Sequence, residues 1–137
     1  ADDATLAAVK RSIDASNGRR VRAVEAFDAH VVEALVAGGW LDPAAPLHSE
    51  SPGSIVDRLT VLALKIWHVR GELGGGAAPP AALVERFHSL QEQWDDLVGC
   101  LDRLWADLAG GRVRVKLYRQ VKVYRDAASG RLRSGLE

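Results

Sequence analysis

The stretch LVERFHSLQEQWDDLVGCLDRLWADL, residues 83–108, carries apolar residues at alternating intervals of four and three. This period is typical of a helix that packs lengthwise on a neighbour, so it predicts a long helix over 81–108. Residues 54–73 show the same spacing and are joined to it by a short Gly-Pro loop. We therefore expect the helix over 54–73 to be its antiparallel neighbour. The seam consists of Leu83, Phe87, Leu90, Trp94, Leu97, Leu101, Leu104 and Leu108.

Outside this pair, two segments show other patterns. Residues 4–36 have helical apolar spacing that Asn17-Gly18 interrupts, which predicts a helix in two parts. Residues 112–124 alternate polar and apolar, which predicts a strand. No second strand is predicted, so this segment either pairs with another subunit or lies as an irregular arm on the bundle.

The predicted fold is mainly α, a bundle of three to four helices with an extended basic C-terminal arm. We expect residues 1–126 to form a single helical domain and 127–137 a flexible C-terminal tail. Ser54 is the expected N-cap of the second helix, with Asp57 in a near capping-box position. The four tryptophans are expected to belong to the core. The long seam and the lone arm predict a homo- or hetero-oligomer.

Charge and composition restrict the class of protein. The 137 residues contain 18 Lys and Arg and 18 Asp and Glu, and this neutrality argues against a nucleic-acid partner. Residues 112–137 nevertheless hold eight basic and two acidic residues, a surplus of six positive charges. No apolar run approaches the ~20 residues that cross a bilayer, and residues 1–11 lack a secretory pattern. We expect a cytoplasmic protein with no membrane partner.

Known cofactor motifs are absent from the sequence, and we expect no cofactor. A di-metal helical bundle needs paired Glu-x-x-His motifs, and residues 85–88 provide one copy, so we also expect no metal.

The second helix carries several candidate functional residues. Steps of 100° per residue place Asp57, Arg58, Lys65, His68 and Glu72 within an arc of about 100°. This arc is either an anion-binding cleft with His68 as proton carrier, or a solvated face with intrahelical salt bridges.

Three stretches resemble the bacterial DUF4254 family, a domain of unknown function: LAAVKRSIDASNGRR (6–20), SESPGSIVDRLTVLALKIWHVR (49–70) and DLVGCLDRLWADLAGGRVRVKLYRQVKVYRD (96–126). Gly18 and Val21 depart from the family pattern, as do Val121 and Val123. The resemblance implies a helical fold and a basic site for a small anionic ligand. The candidate catalytic residues are His68 and Asp57, and Lys65 and Arg58 on the same arc of the second helix are candidate anion-binding residues. The resemblance implies that further anion-binding residues converge on them: Arg11, Arg20, Arg119, Lys122 and Tyr118.

The expected function is that of a small helical subunit of a heteromeric bacterial biosynthetic enzyme acting on a small anionic metabolite. A similarity to the small paired subunits that close aziridine rings suggests ring closure with loss of sulfate or phosphate. Abundant Ala, Gly, Val and Arg with few Lys indicates an actinobacterial source and specialised metabolism. The alternatives are a non-catalytic accessory protein of glycan and glycosyltransferase assembly, and a plain helical interaction module.

Overall fold

A computed structural model describes residues 2–75, 78–118, 121–125 and 132–136. The helices are α1 (Asp3–Ala37), α2 (Pro52–Leu73) and α3 (Ala81–Ala109). Two strands, β1 (Val121–Arg125) and β2 (Leu132–Leu136), pair antiparallel, with Val123 opposite Ser134. The mainly α prediction is confirmed. The division into a domain over 1–126 and a flexible tail over 127–137 stays a prediction.

The hydrophobic core lies mainly between α2 and α3, as the seam predicts. Four of the eight seam positions of α3 are buried, and the other four are half-buried and pack against the same core. Leu108 is 1% exposed, and so is Ile55 on α2. The buried core residues of these two helices are Ile55, Leu59, Leu62, Val69, Leu90, Leu97, Leu104 and Leu108.

α1 is one unbroken helix of 35 residues, so the predicted division at Asn17-Gly18 is wrong. A glycine inside a helix costs about 1 kcal/mol relative to alanine, but its N–H still supports the helical hydrogen bonds. Asp2 caps the helix by accepting the Thr5 N–H at 2.8 Å. Hydrogen bonds from Thr5 hold the pKa of the Asp2 carboxyl below its ordinary value.

α2 begins earlier than predicted, because the N-cap is Ser51 and not Ser54. The Ser51 Oγ accepts the Ser54 N–H at 3.1 Å, and the Ser54 Oγ donates to the Ser51 carbonyl at 2.8 Å. Pro52 follows the cap at a position where the missing N–H would have no helical partner.

The segment after α3 packs on the connector between α1 and α2. The His48 N–H donates to the Arg114 carbonyl at 2.8 Å, and the Arg114 N–H donates to the Pro46 carbonyl at 3.1 Å. Val115 is buried in the core. Residues 113–118 therefore form an irregular arm on the bundle, which was one of the two predicted alternatives.

The expectation that the predicted strand has no partner within the chain is wrong. β1, which covers only the end of the predicted strand, pairs with β2 of the same chain. In the part of the chain that the structure describes, no helix combines the length and apolar character needed to cross a bilayer.

Candidate functional site

A buried carboxylate joins α1 to the first turn of α2. Asp28 on α1 is 7% exposed, and its two oxygens have different donors. The Ser51 hydroxyl donates to Oδ2, and the Gly53 N–H donates to Oδ1 at 2.7 Å. A negative charge at a helix N-terminus is stabilised by the unpaired N–H groups and the helix dipole. Asp28 therefore fixes where α1 crosses the beginning of α2.

Gly53 allows this close approach. A Cβ at this position would lie 2.7 to 2.8 Å from the carboxylate atoms of Asp28, inside van der Waals contact. The sequence analysis missed Asp28. Its spacing in the sequence indicates its role, because Asp28 lies three residues before Val31 and seven before Leu35, on the apolar stripe of α1. A carboxylate on a buried stripe needs hydrogen-bond partners.

One turn further along α2, Asp57 meets Arg20 of α1. The Arg20 Nε lies 2.9 Å from the Asp57 Oδ1, and the two side chains are about half and about one quarter exposed. The two atoms are close enough for an ion pair, but their geometry is not that of a hydrogen bond. The Asp57 Oδ1 is shielded from solvent and has no hydrogen-bond donor among the described residues. The structure thus brings together two of the predicted site residues.

Lys65 and His68 lie further along the same helix and are exposed. Neither side chain forms a hydrogen bond or an ion pair within the described part of the chain. The His68 ring lies edge-on to the Trp67 ring, with 4.8 Å between centroids and 74° between planes. His68 lines an open hollow of about 700 Å³ together with Trp67, Arg70, Gly71 and Glu72, and Lys65 is not among the lining residues.

Trp67 is therefore not a core residue, contrary to the expectation for the tryptophans. It is 68% exposed, and Trp40 is 53% exposed. Trp94 does pack against the core. Helical spacing alone does not separate a tryptophan on the seam from one on the opposite face.

The remaining predicted site residues are distributed over the molecule. Arg58 forms an ion pair with Glu50 at 2.8 Å, so its charge is already partly compensated. Arg11 is exposed and lies nine residues before Arg20, which at 100° per residue places it on the opposite side of α1. The structure does not bring Arg11 to Asp57.

In the C-terminal arm, Tyr118 is exposed, and the Lys116 Nζ lies 5.8 Å from the centroid of its ring. Arg119 lies outside the described residues. Lys122 is on β1, and its side chain also lies outside the described part. The roles predicted for these three residues stay predictions. Among the residues that the structure describes, no three His, Cys, Asp or Glu side chains cluster as a metal site would require.

A family model for a protein of unknown function (DUF4254) matches residues 1–117. The match covers all three helices and the arm up to Leu117, and it confirms the resemblance found in the sequence. The comparisons with curated proteins and with solved structures gave no match.

Proposed function

Because the chain belongs to the DUF4254 family, whose description records no activity, we propose a function from the exposed face of α2. The proposal is a helical subunit of a bacterial biosynthetic enzyme that binds a small anionic metabolite beside Lys65 and His68. Sulfate esters, phosphate esters and carboxylates are the ligand classes that such a face would take.

The position of one basic side chain carries this proposal. Lys10, Arg20, Arg58 and Arg112 each form an ion pair with an acidic side chain. Lys65 has no such partner within the described residues, and neither have Arg11 and Arg86, but of these three Lys65 alone is one turn of α2 from His68, which lines the hollow. An uncompensated ammonium group near that histidine favours an external anion.

Two residues have distinct roles in the proposal. Lys65 supplies a point charge to the anion, and His68, one turn away on the same face, carries a proton. Asp57, the other candidate catalytic residue, is paired with Arg20 and lies eight residues before Lys65, about 12 Å along α2. The anion would thus bind beside a cation and one group able to exchange a proton.

Ring closure with loss of sulfate or phosphate is the finer form of the proposal. An amine of the substrate attacks the carbon that bears the ester oxygen, and the C–O bond breaks with its electron pair leaving on that oxygen. Lys65 stabilises the departing anion, and His68 takes the proton from the amine. No other reactant is needed.

The openness of the hollow supports a subunit rather than a complete enzyme. All five lining residues come from α2, so the opposite wall of the hollow is missing from this chain's described residues. A second chain would complete it and exclude water from the anion. A non-catalytic accessory protein would use the same anion site without turnover.

Isothermal titration of the purified protein with inorganic sulfate tests the anion site. Lys65→Ala is expected to weaken binding about five- to tenfold, the loss typical of one charge-assisted hydrogen bond at an exposed position. Arg103→Ala is the matched control, because Arg103 is exposed near the far end of α3 and does not line the hollow. Absence of sulfate binding to the unmodified protein, or equal weakening by both substitutions, would contradict the proposal.

A further inference from the structure

The first half of α1 presents an apolar stripe to solvent. Residues 2–17 are all exposed, and Leu6 is 64% exposed, with Val9 and Ile13 about half exposed. At 100° per residue these three side chains occupy the same arc of α1 as Val31 and Leu35, which are buried. The arc that enters the core near the end of α1 is polar at Asn17 and Arg20 and is apolar again, and uncovered, near the beginning of the helix.

α2 has a matching uncovered face. Leu64 is 62% exposed and Trp67 is 68% exposed. Both lie on the arc of α2 that carries Gly53 and Asp57, the residues that α1 contacts. Each helix thus extends its own side of the α1–α2 contact beyond the turns where the two helices meet.

We propose that the occupant of both faces is a second copy of this chain. The α1 stripe (Leu6, Val9 and Ile13) of each copy packs on the α2 face (Leu64 and Trp67) of the other. The pairing repeats, between copies, the contact that the same two helix surfaces make within one chain. A two-fold axis satisfies both faces at once, which is the usual symmetry of a homodimer.

The size of the uncovered surface fits this arrangement. The five side chains leave on the order of 600 Å² exposed per chain, close to the about 800 Å² that each partner buries in a standard interface. The formal charge of the sequence is zero, so two copies approach without net repulsion.

The dimer does not require the anion site, although Trp67 belongs to the α2 face and also lines the hollow. Lys65 and His68 lie on one side of the α2 face: at 100° per residue, Lys65 is 100° round the helix from Leu64, and His68 is 40° from Leu64 and 100° from Trp67. The α1 helix of the second copy would stand beside the hollow and supply its missing wall. Failure of sulfate binding would leave the dimer prediction unchanged.

Sedimentation equilibrium of the unmodified chain and three variants tests the dimer. Ile13→Lys and Trp67→Lys each place a charge in one of the two faces, and each is expected to raise the dimer dissociation constant at least about tenfold. Val36→Lys is the control, since Val36 is 62% exposed on α1 but lies outside the stripe. All three positions are exposed, and far-UV circular dichroism checks that the variants keep their helices.

Disulfide capture tests the arrangement itself. In a Cys100→Ser background, a Val9→Cys chain and a Leu64→Cys chain of different tag size are mixed and oxidised. The expected product is a covalent dimer of the two different chains. A chain that stays monomeric at all concentrations, a dimer that both Lys substitutions leave intact, or cross-linking only between identical variants would overturn the proposal. So would a monomer whose two faces bind a different protein.

Discussion

Replacing Asp28 by Asn is expected to destabilise the protein far more than the same change at an exposed aspartate. The carboxylate is 7% exposed and accepts the Ser51 hydroxyl and the Gly53 N–H. An asparagine retains one acceptor for Gly53, but its amide nitrogen is a donor and faces Ser51 Oγ. Because an amide nitrogen cannot accept, the Ser51 hydroxyl proton loses its acceptor. The Ser51 Oγ continues to accept the Ser54 N–H.

The magnitude follows from two contributions. A hydrogen bond to a charged group contributes about 1.5–3 kcal/mol, and the substitution removes the charged acceptor from the hydrogen bonds of Ser51 and Gly53. A partly buried charge at a helix terminus contributes up to about 2 kcal/mol. The contributions overlap, because the Gly53 N–H belongs to the helix terminus, so we expect a loss of about 2–4 kcal/mol in the free energy of unfolding.

Urea unfolding followed by far-UV circular dichroism measures this loss. Asp14→Asn is the matched control, since Asp14 is on the same helix and forms an ion pair with Lys10 in which both side chains are more than half exposed. The control is expected to change stability by about 0.5 kcal/mol or less. A loss for Asp28→Asn no larger than that of the control would refute the role given to Asp28.

Three further substitutions test the packing. Gly53→Ala is expected to cost about 1–3 kcal/mol, because its Cβ would meet the Asp28 carboxylate at 2.7 to 2.8 Å. Gly71→Ala in the same helix meets no atom within 4 Å and is expected to stabilise the protein by about 0.5–1 kcal/mol. Leu108→Ala, at 1% exposure, is expected to cost about 2–5 kcal/mol. Urea unfolding measures all three, and equal effects of the two glycine substitutions would contradict the contact with Asp28.

The pairing of α2 with α3 could be predicted because a repeat of 3.5 residues specifies both a helix and the face it buries. The interruption at Asn17-Gly18 was misread, since a local turn signal does not outweigh 35 residues of otherwise continuous helix. Ser51 was missed as the N-cap because Pro52 and Gly53 discourage a helical interpretation, although proline is favourable directly after a cap.

The candidate site was predictable only in part. Spacing placed Lys65 and His68 on one face of α2, and the structure keeps them there. The resemblance also grouped Arg20 with Asp57, which form an ion pair. Spacing within one helix cannot say which turn of another helix it meets, because that depends on how the helices cross. Asp28 fixes where α1 crosses α2. Spacing did not reveal it, because a search for an apolar stripe passes over a polar residue.

The oligomer stays a prediction, but its two arguments from the sequence are weakened. The α3 seam packs with α2 in one core, and residues 113–118 of the arm pack on the connector of their own chain. Two apolar faces of the described residues remain uncovered, one on α2 and one at the beginning of α1, and the second was concealed by a prediction of two separate helices. The continuous helix extends the apolar stripe past the core and gives the dimer proposal a different basis.

The most direct test of the proposed function is the position of the anion. Backbone amide NMR of the labelled protein, titrated with inorganic sulfate, maps it residue by residue. The account predicts that the largest chemical-shift changes fall on α2 between Lys65 and Glu72 and saturate with added sulfate. Changes confined to the basic segment after Gly111, or no saturable change at all, would contradict an anion site on α2.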